Sequence, residues 1–359
     1  MGKVTKILSE LISIKYWDGL SNRELLNYFH KAFDGCDIHE IHRTRTGTPY
    51  MAIGVNCDLR DQKDAIVLHG HMDTIVPQPD WDISPRVVDG NLYGLGSVDM
   101  RGLFAGVISI LPELKKLKTP IIVTMSSDEE TAIYGTDKII DFLKSRNITA
   151  QLVVIGEPRL APDLCAPYHN GCSVRKFMVH GRGAQMSVPH LGINAVTHSA
   201  ELITFLTTLG ITTTVVEVTG GGSIATVPEY CEFKVLFSFP TRAQFDTEWK
   251  KVEAKIKEII KQTNGLRIEN EVMAHLPPLE ENQSAKLIGI LKKLGIGLFD
   301  REVASRTVTE GGPYSAFCAD TIVFGPGDLK LCHVVNEHTP IEKLEQYPEK
   351  LLQLIQEFV

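Results

Sequence analysis

No stretch of this 359-residue chain approaches the roughly 20 consecutive apolar residues that span a bilayer. The richest run, Phe104 to Leu111, is interrupted by Ser109 and closed by Pro112, so no membrane association is expected. A basic surplus is also missing. The 37 Lys and Arg stand against 44 Asp and Glu, a net charge of −7 with histidine neutral; the phosphate-neutralising surface of a general nucleic-acid binder is therefore not expected either. The seven cysteines are odd in number, scattered and never spaced C-x-x-C, which argues against a disulfide framework and a thiolate zinc knuckle. Reduced thiols in a cytoplasmic protein are the expectation. The N-terminal residues place Val4, Ile7, Leu8, Leu11 and Ile12 at helical spacing with Glu10 among them, a first helix rather than a signal peptide. Repeats and low-complexity tracts are absent. What remains, 43% hydrophobic and 23% charged residues, is the composition of an ordinary globular protein long enough for two domains.

Three short, β-branched, apolar runs, AIVLHG from Ala65, PIIVTM from Pro120 and LVVIG from Leu152, read as central strands covered on both faces. Helical patterns over Arg101–Lys116 and Thr136–Lys144 lie between them, which predicts an α/β layered sheet. The pattern then changes to strand 172–181, helix 194–209, strands 212–220 and 229–239, helix 244–263 and strand 266–272. This β-α-β-β-α-β order is ferredoxin-like. It is bracketed by Ala166-Pro167 and Pro277-Pro278, so residues 167–277 read as an insertion into one domain made of 1–166 and 278–359. The closing part has a helix from Ser284 to Leu294, a strand TIVFG from Thr321 and a final helix from Ile341 to Phe358.

Each predicted strand of the larger domain ends in a polar cluster, the place where ligands bind in open α/β sheets. In His69-Gly-His71-Met-Asp73 an imidazole can ligate a metal while the carboxylate two residues on fixes its tautomer; taken alone, such a pair is more often a structural hydrogen bond. Asp99 in GLGSVDMRG can be a ligand or a helix N-cap. The same glycines lack the third position of a dinucleotide fingerprint. Asp128-Glu129-Glu130 follows the second strand, and three adjacent carboxylates repel one another unless solvated or neutralised by a metal. Glu157, before a proline, is a fourth acidic strand terminus, and His333 and His338 follow the last strand. The alternation of His39-Glu-Ile-His42 suits a strand and is read as structural. Two Zn²⁺ bring +4 against −3 from Asp99, Glu130 and Glu157, with His71 and His333 neutral, and Glu129 is left over as a base. Oxygen and imidazole ligands suit Zn²⁺, with Co²⁺ or Mn²⁺ also acceptable.

The ordered strings HGHMDT, GLGSVDMRG, SSDEE, GEP, and FGPGD followed by H-x-x-N-E, spread over Leu68 to Glu337, make the chain resemble the M20 metallopeptidase and deacylase family. The resemblance implies a central mixed sheet with helices on both faces and a ferredoxin-like lid and dimerisation domain, hence a homodimer through that domain. It implies that His71, Asp99 and Glu157 hold one zinc and Asp99, Glu130 and His333 the other. Asp73 then orients His71, and Glu129 is the general base. The H-x-x-N-E pattern selects His333 over His338. The G-P-G-D ending and modest length are most similar to the branch of acetylornithine deacetylases and succinyl-diaminopimelate desuccinylases, which implies a cytoplasmic enzyme hydrolysing an N-acyl-L-amino acid, as in arginine biosynthesis. A dipeptidase or aminopeptidase, or a metal- and metabolite-binding homologue of weak activity, is the alternative.

The inserted domain departs from the family pattern. Gln185 stands where a histidine is usual, Ala225 where an asparagine is, and Ser238-Phe-Pro240 replaces the usual arginine corner. Substrate-binding candidates are Gln185, whose amide still offers a donor, His190, a possible replacement donor although such a position is more often a surface histidine, and Gly312 in the closing part. The departures point to a different acyl amino acid or a slower reaction.

Overall fold

The computed structural model describes residues 1–17, 20–41, 49–132 and 135–359; His42 lies outside them. The chain divides into two compact units, Met1–His169 with Leu279–Val359, and Asn170–Pro278. The sequence places the insertion at 167–277. Its boundaries in the structure fall where His169 and Leu279 exchange backbone hydrogen bonds in both directions, at 3.0 and 3.1 Å.

The first unit opens with two amphipathic helices, α1 (Lys3–Ser13) and α2 (Arg23–Ala32). Strands β1 (Asp37–Ile41), β2 (Tyr50–Gly54), β3 (Ala65–His71), β4 (Ile121–Ser126) and β5 (Ala150–Ala161) follow, with helices α3 (Gly102–Ser109), α4 (Glu129–Ala132) and α5 (Gly135–Ser145) among them. The second unit contributes β6 (Gly171–His180), α6 (Ala195–Leu206), β7 (Thr212–Gly220), β8 (Tyr230–Phe239), α7 (Arg242–Gln262) and β9 (Arg267–Leu276). The chain then returns through α8 (Ala285–Lys293), α9 (Gly311–Ser315), β10 (Thr321–Pro326) and α10 (Ile341–Phe358).

In the first unit the strand order is β1-β2-β4-β3-β5-β10. Strands β4, β3, β5 and β10 run parallel to one another, while β2 pairs antiparallel with β4 and β1 antiparallel with β2 at one edge. This is the mixed sheet expected from the sequence. Because side chains alternate along a strand, its apolar runs split between two cores. Ile66, Leu68, Val123, Leu152 and Val154 pack with α1, α2, α3 and α10, whereas Val67, Ile122, Val153 and Ile155 pack with α5 and Tyr314 of α9. Burial on both faces explains why these strands read as continuous apolar runs. The tightest backbone approach is at Gly325, where a Cβ would lie 1.8 Å from the Gly156 carbonyl oxygen. Only glycine lets β10 close on β5 there.

The second unit forms a four-stranded antiparallel sheet in the order β7-β8-β6-β9, the ferredoxin-like arrangement. Its core is unusually rich in phenylalanine, with Phe177, Phe233, Phe237, Phe239 and Phe245 buried together.

Four differences from the sequence reading have a local physical cause. The pattern over 101–116 is two helices, α3 and a short turn at Leu111–Leu114 that begins around Pro112, whose missing N–H cannot continue the helix before it. Helix α6 stops at Leu206 rather than Leu209, where Thr207 and Thr208 turn their hydroxyls onto the Thr204 and Phe205 carbonyls. Strand β9 continues past a bulge at Val272/Ala274 to Leu276. Glu157 lies inside β5 rather than at its end, because Pro158 falls at an irregularity in the β5–β10 register and costs no regular ladder bond. Among the described residues no helix is long and apolar enough to cross a membrane.

Candidate active site

The parallel strands deliver their carboxyl ends to one edge of the sheet. His71 is the last residue of β3, Glu129 and Glu130 open α4 just after β4, Glu157 lies on β5, and His333 follows β10. Asp99 precedes α3, and its peptide bond to Met100 is cis.

These residues converge around Asp99. Its Oδ1 lies 3.0 Å from His71 Nε2 and its Oδ2 3.2 Å from His333 Nε2. Glu157 Oε1 is 3.4 Å from the same His71 nitrogen, and Glu130 is 3.1 Å from the same His333 nitrogen. Two triads thus share one carboxylate, with each imidazole presenting Nε2. The ligand-capable atoms of His71, Asp99 and Glu130 lie within 4.8 Å of one another, as do those of His71, Glu129 and Glu157. Ligands held about 2.0 to 2.2 Å from a tetrahedral ion stand roughly 3.3 to 3.6 Å apart, close to the separations seen here. The donor set of carboxylates and imidazoles fits a divalent ion pair.

Electrostatics point the same way. Burial alone would push the His71 imidazole down, but Asp73, Asp99 and Glu157 outweigh it and hold it well above the ordinary histidine value. Hydrogen bonds to Asp99 and Glu130 push His333 up to about 11. Burial raises Glu157 to about 7, with the Asp99 charge adding to the rise, and burial with the neighbouring Glu157, Glu130 and Glu310 carboxylates holds Glu129 well above the usual range. Burial would raise Asp99 too, but the two imidazoles hold it well below. Without metal, the cluster retains protons where a cation pair would otherwise balance its charge.

Behind this set, Asp73 serves two partners. Its backbone carbonyl lies 3.0 Å from His71 Nδ1 and its Oδ1 3.5 Å away, while its carboxylate accepts from the Glu129 and Glu130 amides at 3.3 and 3.0 Å. One aspartate therefore sets both the ring of His71 and the first turn of α4. Asp128 stands apart from both triads and accepts from Tyr50 Oη at 3.1 Å. Arg101, fully buried, donates to the Leu11, Ile14 and Met72 carbonyls and ties the end of α1 to the loop after His71.

Three supporting residues escaped the sequence reading. Glu337, the last residue of H-x-x-N-E, accepts from the Gly96, Val98 and Asp99 amides at 3.0, 2.8 and 3.2 Å, so it shapes the loop carrying the shared carboxylate. Replacing it with glutamine should weaken metal binding by about 10- to 100-fold without unfolding the protein, as measured by competition with a chelating dye; unchanged affinity would show that the loop holds its shape alone. Glu310 is 2.8 Å from His69 Nε2 and takes hydroxyl hydrogen bonds from Ser126 and Thr136. His69 and its neighbours overcome the effect of burial and hold Glu310 down at about 2. Strand parity was the available signal, since His69 shares the face of His71 and needs a buried partner. Arg159 is the third.

A cavity of about 290 Å³ opens over the cluster, lined in part by Asp99, Glu129, Glu157, Arg159, Thr309 and His333. Gly312 is buried in α9, its carbonyl accepting from Ser315 Oγ, and is not among the residues lining this cavity. Gln185 lies in the second unit, exposed, bridging to Thr226 through its backbone and accepting from Ser187 Oγ. His190 is exposed in a short 3₁₀ turn, Pro189–Leu191, and Ala225 is exposed nearby in sequence to Thr226. His338 stacks on Tyr93 at 4.6 Å between centroids, away from both triads.

Residues 67–357 match the family model described as peptidase family M20/M25/M40. Over 98% of this chain and 97% of its own length, an acetylornithine deacetylase of Buchnera aphidicola is 26% identical. The crystal structure of an aminopeptidase PepT from Bacillus cereus superposes with a TM-score of 0.80 at 17% identity, covering 99% of this chain and 98% of that one. A Staphylococcus aureus tripeptidase gives 0.78 at 19% identity, with the same coverage. With the family model spanning most of the sequence and a shared carboxylate between two imidazoles at the sheet edge, the chain belongs to the M20/M25/M40 peptidase family.

Proposed function

We propose that this protein hydrolyses the amide bond of an N-acyl-L-amino acid, releasing a carboxylate and a free amino acid, with two divalent ions, Zn²⁺ or else Co²⁺ or Mn²⁺, held by His71, Asp99 and Glu157 and by Asp99, Glu130 and His333. The observation that carries this reading is the single carboxylate of Asp99, whose two oxygens each face a different imidazole. Bound ions of this kind polarise a carbonyl and lower the pKa of water. Glu129 lines the same cavity, and burial together with its acidic neighbours raises its proton affinity, which suits a group that takes a proton from the attacking water and passes it to the departing nitrogen. Asp73 fixes Glu129 by its backbone and His71 by its ring.

The acyl-amino-acid assignment draws on the acetylornithine deacetylase names of the curated relatives. A homodimer through residues 170–278 is part of the proposal; β7, an edge strand, leaves Val216 and Val218 about half exposed, the kind of strand that pairs with another chain.

The test is a chelator-dialysed protein reloaded with Zn²⁺, Co²⁺ or Mn²⁺ and assayed on acetylornithine, acetylcitrulline, succinyl-diaminopimelate and a panel of dipeptides. Activity should vanish with the metal, return on reloading, and fall on an N-acyl amino acid. Hydrolysis of dipeptides alone would replace this reading with the peptidase one, and activity surviving chelation would remove the metal from it.

A further inference from the structure

Two arginines of the first unit are almost wholly buried, and each leaves its Nε without a hydrogen-bond partner. Arg101 gives its two terminal nitrogens to three backbone carbonyls and is not among the residues lining the cavity over the acidic cluster. Arg159 makes two hydrogen bonds, Nη1 to the Pro158 carbonyl and Nη2 to Thr307 Oγ1, both 2.7 Å. Its Nε is buried without a hydrogen-bond partner, and the carboxylates that act on it from nearby, Glu157 and Asp99, are both proposed metal ligands. A buried cation in this state is costly unless something pairs with it.

Its position suggests what does. Arg159 and Glu157 are two apart on β5. Both line the 290 Å³ cavity, with Thr307 and Thr309 on its wall. The Phe299 ring lies 5.6 Å from the guanidinium carbon and limits where the side chain can go. At about 30 Å³ per water-sized group, the cavity takes on the order of ten such groups, the size of a small acylated amino acid. The other ionisable groups of its lining are the carboxylates Asp99, Glu129 and Glu157, the imidazole of His333 and the thiol of Cys332. With Asp99 and Glu157 given to metal, the guanidinium is left to pair with a ligand anion, and a cationic ligand would oppose it.

We infer that Arg159 is the specificity-determining residue of this site: its unpartnered N–H groups, with the Thr307 hydroxyl beside them, receive the α-carboxylate of the substrate and so set the scissile amide over Asp99 and Glu129. The inference rests on the N-acyl amino acid reading and deepens it. It assigns carboxylate recognition to the catalytic unit itself, in a chain whose Gln185, Ala225 and Ser238 depart from the family pattern in the other unit.

The test separates the two ideas. Metal-loaded Glu129→Gln protein, which should bind without turnover, is titrated calorimetrically with N-acetylornithine and with its α-carboxamide, with Arg159 intact and with Arg159→Met. Turnover of the parent protein on both compounds is measured alongside. The acid should bind roughly 10- to 100-fold more tightly than the amide, and Arg159→Met should erase that preference while leaving metal content unchanged. Arg159→Lys should keep the preference at reduced affinity. Should Arg159→Met not fold, Arg159→Gln, which also removes the charge, is read the same way. Equal binding of acid and amide with Arg159 intact, or a preference that survives loss of the charge, overturns the inference and leaves the N-acyl reading standing. Failure of both compounds to bind and of the parent to hydrolyse either would overturn the reading, and the inference with it.

Discussion

Glutamine at position 129 should leave the metal content of the protein unchanged and lower kcat by about 10² to 10⁴. The substitution keeps the shape of the side chain and removes only its capacity to carry a proton. Glu129 opens α4 with its backbone amide held by Asp73, so the turn does not depend on the carboxylate. Its ligand-capable oxygen nevertheless lies within 4.8 Å of those of His71 and Glu157, close enough to coordinate. Metal analysis separates the roles. Two ions per chain with crippled turnover identify a base, whereas the loss of one ion with the activity would make Glu129 a ligand and require another proton carrier.

At Asp99 the expected result is larger and of a different kind. Alanine there should reduce the metal content to one ion or none per chain and take turnover below detection, since both triads lose a member at once. Asparagine retains one oxygen in place, so it should keep a single ion, more weakly held, with turnover still lost because two-ion chemistry needs both. Metal analysis after gel filtration reads both variants. Two tightly bound ions in Asp99→Ala would rule out the shared-carboxylate arrangement.

Most of the ligand residues were legible because they follow apolar runs whose direction and end the sequence marks, whereas Asp99, ahead of α3, was legible through its motif. His71 ends AIVLHGH, Glu129 and Glu130 follow IIVTMSSD, and once those strands are placed in parallel their termini must meet. Their supports were less visible. Glu310 immediately precedes the short helix α9, which has no periodic signal, and its partnership with His69 comes from packing α9 against β3. Glu337 closes the H-x-x-N-E motif, but its task, gathering three amides of a loop some 240 positions earlier, exists only in three dimensions. Glu157 seemed to end its strand because a proline follows, and only the irregular β5–β10 register shows why the strand tolerates it. The substrate-facing residues were hardest to read. Gln185 and His190 were inferred from where the pattern changed, and a changed pattern says which contact is lost without saying what replaces it. Arg159 carried no expectation at all, because one arginine after a strand glutamate resembles any surface charge until its burial is known.

The paired backbone at His169 and Leu279 has a consequence for how such a chain could be taken apart. Its two residues face each other as a hydrogen-bonded pair, a separation of about 5.5 Å between Cα atoms, which two or three glycines would bridge. Every proposed ligand, the base, Asp73 and Glu337 lie outside residues 170–278. A miniature with those residues excised should still capture divalent metal, measurable by chelator competition, while the contacts of Gln185 and His190 leave with the deleted module. Such a miniature would make the metal trap and the substrate filter separately testable inheritances, one carried by the interrupted sheet and the other by the segment that interrupts it.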